Sequence, residues 1–248
     1  MRLKSYILVA LFGLSINQLN AEELISYKDF HQTATPVPSL GELLLNFDES
    51  AYPKAVDQYE AAHEITDRSV RPTNKNYVMA MRLYDSSARN SFIPSMHNLA
   101  VLYANDPFKP DYDASTAWYR NAAKMGFAGS QNNYANAIEE HHGTQKTLSD
   151  AVYWYTQAAM QGEPTAYLSL GKMFLEGRGV QTDPSEAAFW LELAVAFLPD
   201  GLNLVEAKKK RQLALDDLNK LQMIEVEYRV RRFEPLSETP AKLSDRPS

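Results

Sequence analysis

The feature that most constrains this chain is a tryptophan that recurs at a fixed spacing. Trp118, Trp154 and Trp190 follow one another at intervals of 36 residues. A period of that size is typical of solenoid proteins, in which each repeat is one supersecondary unit that buries its apolar face against its neighbours. Smaller residues keep the register three positions before and five positions after each tryptophan: Ser115, Ala151, Ala187, Ala123, Ala159 and Val195. The sequence therefore predicts stacked copies of one unit.

Each copy also has a residue that can cap a helix, seven positions before the tryptophan. These residues are Asn76, Asp111, Thr147 and Asp183, the first belonging to a weaker copy with Leu83 in the tryptophan position. An oxygen at such a position accepts a hydrogen bond from a free N–H of the first helical turn. Pro184 and Glu186 complete a helix start in the last copy. The pattern predicts first helices over 77–90, 112–125, 148–161 and 184–197.

A second helix follows in each copy, marked by a large residue, a small neighbour and another large residue one turn later. The three sets are Leu99, Ala100 and Tyr103; Tyr134, Ala135 and Ile138; and Leu170, Gly171 and Phe174. The small residue lets two helices approach closely along one face. Gly177 and Gly179 then predict the end of the second helix in the third copy.

The segment 150–184 resembles the Sel1-like repeat, a relative of the tetratricopeptide repeats. The residues that carry the resemblance are Ala151, Trp154, Ala158, Ala159, Gly162, Ala166, Leu170, Gly171, Phe174, Gly177, Gly179, Val180 and Asp183. The unit at 112–147 departs from the pattern, since His141 and His142 stand where the exit glycines would be, and the unit at 76–111 is looser still. The resemblance implies an all-α fold: a right-handed α-solenoid of Sel1-like helix-turn-helix repeats with a C-terminal capping helix.

Residues 1–21 have the pattern of a secretory signal peptide. Arg2 and Lys4 precede an apolar run that is too short to span a bilayer, and Ala21 offers a small residue for cleavage. Such a segment predicts export, to the periplasm of a Gram-negative cell. Its removal takes the formal net charge from −6 to −8. That acidity argues against a nucleic-acid partner, and no later apolar run predicts stable membrane insertion.

The rest of the chain divides into four further segments. We expect an irregular N-terminal arm or docking segment at 22–50, the Sel1-like solenoid at 51–200, capping helices at 201–233 and a disordered tail at 234–248. The capping segment, one bent helix or two, carries a possible apolar stripe: Leu213, Leu218, Leu221, Ile224 and Tyr228. A basic run at 208–211 is interpreted as a solvated helix face rather than a patch for anionic surfaces.

No constellation for catalysis is found in the sequence. The chain contains no cysteine, which excludes thiolate catalysis and cysteine metal sites. His63 and Glu64 begin like a zinc-protease helix, but Asp67 stands where the second histidine is required. His141 and His142 are interpreted as substitutes for the exit glycine rather than metal ligands. We therefore expect no catalytic residue, no metal and no cofactor.

A binding surface is expected on the second helices, which line the inner groove in the related tetratricopeptide fold. The groove residues that this transfer selects are His97, Val101, Asn132, Asn136, Glu139, Glu140, Leu168, Lys172, Leu175 and Glu176. A polar stripe of this kind suits an extended peptide or a helix laid in the groove. A solvated face without a partner is an equally open interpretation, because repeat surfaces vary outside the core.

The favoured function is a periplasmic scaffold or regulator that binds a protein partner. The resemblance implies a partner such as an envelope-assembly component or a sensor protein. Two alternatives stay open: a hydrolase directed at the cell wall or at β-lactams, and a module that binds peptidoglycan or a small ligand. The hydrolase would need a nucleophile or a metal site, and the sequence contains no S-x-x-K, K-T-G or S-D-N motif.

Overall fold

The computed structural model describes residues 53–67, 74–142, 144 and 146–236. Every regular element in these ranges is an α-helix, and the helices fall in two compact units, one before and one after residue 145. The expected signal peptide, the arm and most of the expected tail lie outside the described residues. The fold class is confirmed as all-α and built from Sel1-like helix pairs.

The N-terminal unit contains five helices in which each packs on the next. They are α1 (Pro53–Asp67), α2 (Asn74–Arg89), α3 (Ile93–Ala104), α4 (Tyr112–Lys124) and α5 (Ala128–Glu139). Its core contains large side chains from α2 and α3 packed against alanines: Ala62, Tyr84, Ala88, Ile93, Met96, Leu99 and Ala122. The core therefore joins successive helices, as repeat stacking requires.

Two buried hydroxyl groups tie the first three helices of this unit together. The Ser87 hydroxyl donates a hydrogen bond to the carbonyl oxygen of Ala55 at 2.6 Å, which joins α2 to α1. The Ser95 hydroxyl donates to Ser87 Oγ at 2.7 Å, which joins α3 to α2. Both serines are fully buried, and such polar groups are tolerated in a core only when they are hydrogen-bonded.

The C-terminal unit contains one repeat-type helix pair, the first helix of a further repeat and two closing helices. Its helices are α6 (Leu148–Met160), α7 (Pro164–Glu176), α8 (Pro184–Phe197), α9 (Leu202–Asp216) and α10 (Lys220–Arg232). Helix α7 packs on α6 and α8, whereas α9 packs on both α7 and α8 and α10 packs on α8. The capping segment is therefore two helices, with the break at residues 217–219.

Three of the four predicted N-caps are present. Asp111 accepts a hydrogen bond from the Ala114 N–H at 2.9 Å, Thr147 forms a capping box with Asp150, and Asp183 accepts from the N–H groups of residues 185 and 186. The prediction for Asn76 is wrong, because α2 begins at Asn74 and Asn76 lies inside it. Cap-forming residue types occur at 73, 74 and 76, so residue type alone does not fix this start.

The close helix approach predicted at Gly171 is present between α7 and α8. A Cβ at residue 171 would lie 2.7 Å from Leu191 Cδ2 and closer still to Leu191 Cγ, so no larger residue fits without movement of Leu191. The equivalent Ala100 and Ala135 are completely buried in the other unit. Small residues at this position therefore let the helix pairs pack closely.

The predicted tryptophan series differs in burial from copy to copy. Trp190 is 1% exposed and packs with Tyr167, Phe189 and Phe233. Trp118 is half-buried against the core of the N-terminal unit. Trp154 is half-buried as well. The shared register therefore places all three on the packed side of a first helix, but only the last is enclosed.

Candidate interaction surface

The expected binding residues lie on α3, α5 and α7, the second helices of the repeats. We call the set His97, Val101, Asn132, Asn136, Glu139, Glu140, Leu168, Lys172, Leu175 and Glu176 the second-helix face. The first six belong to the N-terminal unit and the last four to the C-terminal unit. The two parts differ in what covers them.

His97 is a packed residue of the N-terminal unit rather than an open contact. Its Nδ1 lies 2.8 Å from the hydroxyl oxygen of Ser130 on α5. Its ring centroid lies 5.6 Å from that of Tyr119 and 4.8 Å from that of Phe127. Burial lowers the pKa of the imidazole from 6.5 to about 4, because a charged ring would lose its hydration there. A neutral His97 therefore joins α3 to α4 and α5.

The remaining N-terminal positions present amides and carboxylates. Asn136 and Glu140 are exposed, whereas Val101, Asn132 and Glu139 are half-buried. The Asn132 Nδ2 donates to Asn133 Oδ1 at 3.2 Å, but the buried Asn132 Oδ1 receives no hydrogen bond from the described residues. The Glu140 carboxylate lies 3.2 Å from His142 Nδ1. This part of the face offers hydrogen-bonding groups at regular helical spacing.

In the C-terminal unit, two of the same positions form ion pairs with α9. The Lys172 ammonium lies 3.0 Å from the Glu206 carboxylate, and Glu176 pairs with Lys210. A third ion pair joins Arg211 of α9 to Glu192 of α8 at 3.3 Å. Lys172 and Glu176 are therefore paired with a helix of the same chain, and their role in binding a partner stays a prediction.

The two leucines of this part of the face are also less open than expected. Leu168 is only 5% exposed, and Leu175 is half-buried. The sequence spacing placed both residues on the correct helix. It did not reveal that later helices would fold back over that side of α7.

Small residues on one face of α9 let it pack closely at this position. Its completely buried residues are Ala207 and Ala214, which are two turns apart and lie on one face. Alanine lets the α9 backbone approach its neighbours, and the charged residues Glu206, Lys210 and Arg211 reach past it to α7 and α8. The arrangement is an alanine stripe with ion pairs at its edges.

The basic run at 208–211 was therefore only partly a solvated face. Lys208 and Lys209 are exposed, but Lys210 and Arg211 form the ion pairs with Glu176 and Glu192. The sequence signal for this role is the pair of alanines at 207 and 214, which marks the buried side of the helix. The run itself shows no periodicity that distinguishes the exposed Lys208 and Lys209 from the ion-paired Lys210 and Arg211.

The histidines at the end of α5 behave as predicted from the repeat. His141 has a φ of 58°, the left-handed conformation that an exit glycine would adopt. The His142 ring stacks on Tyr112 with centroids 4.5 Å apart, and the His142 carbonyl oxygen accepts a hydrogen bond from the Thr116 hydroxyl at 3.0 Å. Both residues thus close the N-terminal unit at this corner.

Neither a metal-binding cluster nor a membrane-spanning helix occurs in the described residues. Within these ranges, no group of three or more histidine, aspartate and glutamate side chains could hold a metal ion. No helix in the same ranges has the length and apolar character needed to cross a bilayer. That the protein needs no metal and no cofactor stays a prediction.

Comparisons with known proteins identify the repeat. The Sel1 repeat profile matches four successive segments: 68–92, 93–127, 128–163 and 164–196. The last three segments start at a second helix, so they are displaced by half a unit from the copies defined by the tryptophans. A search of curated proteins gives no significant match.

Two solved structures share this fold. One is a protective antigen present in uropathogenic Escherichia coli strains, with an SLR fold; the alignment has a TM-score of 0.62 and 25% identity and covers 72% of this chain. It covers 37% of the antigen, so this chain spans little more than a third of the antigen's length. The other is a Sel1 repeat protein from Oxalobacter formigenes, with a TM-score of 0.52, 20% identity and coverage of 75% of this chain and 82% of the relative.

The repeat carries a general functional meaning. Sel1 repeat proteins generally mediate protein–protein interaction, and the family is typically non-catalytic. The four matched segments are contiguous and together cover more than half of the chain. On the strength of that match, this chain belongs to the Sel1 repeat family.

Proposed function

We propose that this protein is an exported, periplasmic scaffold or regulator whose second-helix face binds a helical segment of a protein partner. The binding region is the N-terminal part of that face, centred on Asn132, Asn136 and Glu140. The signal-peptide pattern of residues 1–21 supports export, and an envelope-assembly component or a sensor protein is the kind of partner the family resemblance implies. Enzymatic activity is not part of the proposal.

The observation that carries the proposal is the position of α9. In the C-terminal unit the second-helix face receives a helix through an alanine stripe and through the ion pairs of Lys172 and Glu176. The register positions equivalent to these residues in α5 are Asn136 and Glu140, which are both exposed. The chain therefore contains its own example of a helix bound on this type of face.

Cross-linking in intact cells tests the binding region. A photo-reactive residue at Asn136 should form an adduct with one partner protein, identifiable by mass spectrometry, and Glu140→Arg should abolish that adduct. The same residue at Asn121, an exposed position of α4, is the matched control and should give no adduct. Equal adducts from both positions, or indifference to Glu140→Arg, would contradict the proposed face.

Cell fractionation tests export, and turnover and binding assays test the two alternative functions. Release of the protein by osmotic shock, with a new N-terminus after Ala21, is the expected result for an exported chain. Retention in the cytoplasm would contradict the periplasmic role. Hydrolysis of a β-lactam or a muropeptide by the purified protein would favour the enzyme alternative, and a thermal shift with glycans alone would favour the ligand-binding alternative.

A further inference from the structure

The last described residues of the chain lie on an aromatic cluster of the C-terminal unit. We call Tyr167, Phe189 and Trp190 the aromatic cluster and residues 233–236 the strap. The Phe233 ring is half-buried and lies edge-on to all three rings, with centroids 5.8 or 5.9 Å apart. Edge-to-face contacts of this kind are favourable beyond the area that they bury. An aromatic anchor therefore holds the first residue of the strap.

The rest of the strap is bound in the manner of an extended peptide. Phe233 has extended backbone angles, with φ −69° and ψ 120°. Pro235 lies over Gly162, where a Cβ would be 3.4 Å from the Pro235 Cβ. The Leu236 N–H donates a hydrogen bond to the carbonyl oxygen of Met160 at 2.7 Å. Folded domains bind peptide ligands through the same combination of side-chain anchors, proline contacts and main-chain hydrogen bonds.

The aromatic cluster also contains a hydrogen-bond donor that the strap does not use. Trp190 is 1% exposed, and its Nε1–H has no acceptor among the described residues. Phe233, the strap side chain that contacts the indole, has no oxygen or nitrogen to offer. A buried donor without an acceptor is unfavourable. A ligand oxygen that reaches the indole would therefore gain a contact that the strap does not make.

Few other contacts hold the helix that precedes the strap. Val226 is the one buried residue of α10, and of the apolar stripe expected at 213–228 only Leu218 is buried. Arg229 joins α10 to Glu186 of α8 by a bidentate ion pair, at 2.6 and 2.9 Å. Segments with few buried apolar contacts open locally, without unfolding of the whole unit. The strap can therefore leave the aromatic cluster while α7 and α8 stay folded.

We propose that the aromatic cluster is a peptide-binding site and that the strap is its tethered ligand, which a segment of a partner protein displaces. The displacing segment has the chemistry of the strap: an extended phenylalanine, any residue and proline. A helical turn before it carries an arginine four residues ahead of the phenylalanine, which pairs with Glu186 as Arg229 does. The site shares no residue with the second-helix face, so it does not depend on the proposed function.

The tether determines how strongly the strap competes with a free peptide. A ligand on a short connection has an effective concentration of the order of millimolar. A peptide that binds the empty cluster with a dissociation constant of about 10 µM should therefore bind the wild-type protein roughly 100-fold more weakly. Loss of the anchor from the strap should restore the full affinity.

Peptide binding to the full-length protein tests the site. The probe is a synthetic peptide with the sequence of residues 229–237, and the control peptide has alanine at the position of Phe233. The Phe233→Ala protein should bind the probe roughly 100-fold more tightly than the wild type does, and it should not bind the control peptide. Phe197→Ala leaves the strap in place and should behave as the wild type. Equal affinity of wild type and Phe233→Ala for the probe, no binding by either, or equal binding of both peptides would overturn the proposal.

A milder variant covers the case in which Phe233→Ala does not fold. Leu236→Pro removes only the N–H that bonds to Met160, so the anchor and the aromatic cluster remain intact. The strap should leave the cluster more often, and the probe should bind several-fold more tightly than it binds the wild type. An affinity equal to that of the wild type would show that the strap and the probe do not compete.

Hydrogen exchange in the wild-type protein provides a readout that needs no variant. If the strap opens locally, the protection factor of the Leu236 amide should be at least roughly 100-fold smaller than those of the α8 amides at Phe189 and Trp190. Saturating probe should lower it further, because the probe holds the strap off the cluster. Equal protection of Leu236 and α8 would mean that the strap leaves only when the unit unfolds, and would overturn the proposal.

Discussion

His97 shows how burial changes the chemistry of a side chain whose sequence position marks it as open. The ring is enclosed by Tyr119 and Phe127 and contacts the hydroxyl of Ser130. Its pKa of about 4 lies below the value of 6.5 for an unperturbed imidazole. The residue is therefore neutral at physiological pH and contributes to packing rather than to charge recognition.

The low pKa of His97 predicts acid sensitivity. Above pH 6.5 the imidazole is neutral in both the folded and the unfolded chain, so it imposes no penalty. As the pH falls from 6.5 to 4 the unfolded chain binds the proton and the folded one does not, so folding free energy is lost, by up to about 3 kcal/mol. Urea unfolding across this pH range should show the loss.

The variant His97→Gln separates this effect from the titration of carboxylates. Glutamine retains a hydrogen-bonding group for Ser130 but does not titrate. The difference in unfolding free energy between wild type and variant should therefore narrow or reverse as the pH falls from 6.5 to 4. A difference that is constant with pH would show that His97 is not the source.

Gly171 provides a second prediction for a single residue. Alanine would favour the helix by about 1 kcal/mol, but its Cβ would overlap Leu191, and overpacking costs about 1–3 kcal/mol. Gly171→Ala should therefore destabilise the protein by about 1 kcal/mol in urea unfolding. Truncation of Leu191 to alanine should remove the overlap. In a double-mutant cycle, Gly171→Ala should therefore stabilise the Leu191→Ala background, although it destabilises the wild type.

At this scale the sequence predicts residues whose role is local. The caps at 111, 147 and 183 and the left-handed His141 depend on a few neighbouring residues, and all four are present. Burial of Leu168 and the neutrality of His97 depend on residues brought together from other helices. Spacing along one helix contains no information about those contacts.

Between elements, the most informative contact is that of α9 with α7 and α8. Few apolar side chains of α9 are buried, so its position depends on two ion pairs with α7 and one with α8. The pairs are partly exposed, and exposed pairs contribute about 0.2–1 kcal/mol each. The docked position of α9 should therefore be sensitive to salt.

Charge exchange across this contact makes a testable prediction. Lys172→Glu should place two carboxylates beside each other and lower the melting temperature by a few degrees, equivalent to about 1 kcal/mol. Addition of Glu206→Lys should restore it. The expected effect shrinks in high salt, and hydrogen exchange should locate the change in α9. A double variant no more stable than the single one would contradict the observed pairing.

The repeat helices were predictable to within a few residues because each contains the same periodic pattern. The first helices expected at 112–125, 148–161 and 184–197 are present at Tyr112–Lys124, Leu148–Met160 and Pro184–Phe197. The closing helices α9 and α10 follow no repeat, and the sequence showed only that the segment is helical. Their placement depends on contacts with α7 and α8, which no internal pattern specifies.

At the scale of the whole molecule, the described chain is two compact units, and the C-terminal one is closed by its last residues. Phe233 packs against Tyr167, Phe189 and Trp190. Beyond it, the Leu236 N–H donates to the carbonyl oxygen of Met160 at 2.7 Å. Residues 234–236 therefore differ from the disordered tail expected from their composition, because Phe233 anchors the residues that follow it.

Removal of this anchor should destabilise the unit far more than loss of a similar exposed ring. Phe233→Ala should cost about 2–4 kcal/mol, since it leaves a cavity against three aromatic side chains. Phe197→Ala is the matched control: Phe197 also contacts Tyr167 but is 57% exposed, so its loss should cost less than about 1 kcal/mol. Chemical unfolding of the two variants compares them directly, and equal costs would refute the anchoring role.

The anchor also determines when this unit finishes folding. Ribosomes make the chain from its N-terminus, and Phe233 is synthesised more than forty residues after Trp190. Until it emerges, the aromatic core of the C-terminal unit lacks one of its rings, whereas the residues of the five helices before residue 145 have all been synthesised. The late arrival of one phenylalanine thus delays the closure of the C-terminal unit, and a nascent chain stalled before residue 233 would lack that closure.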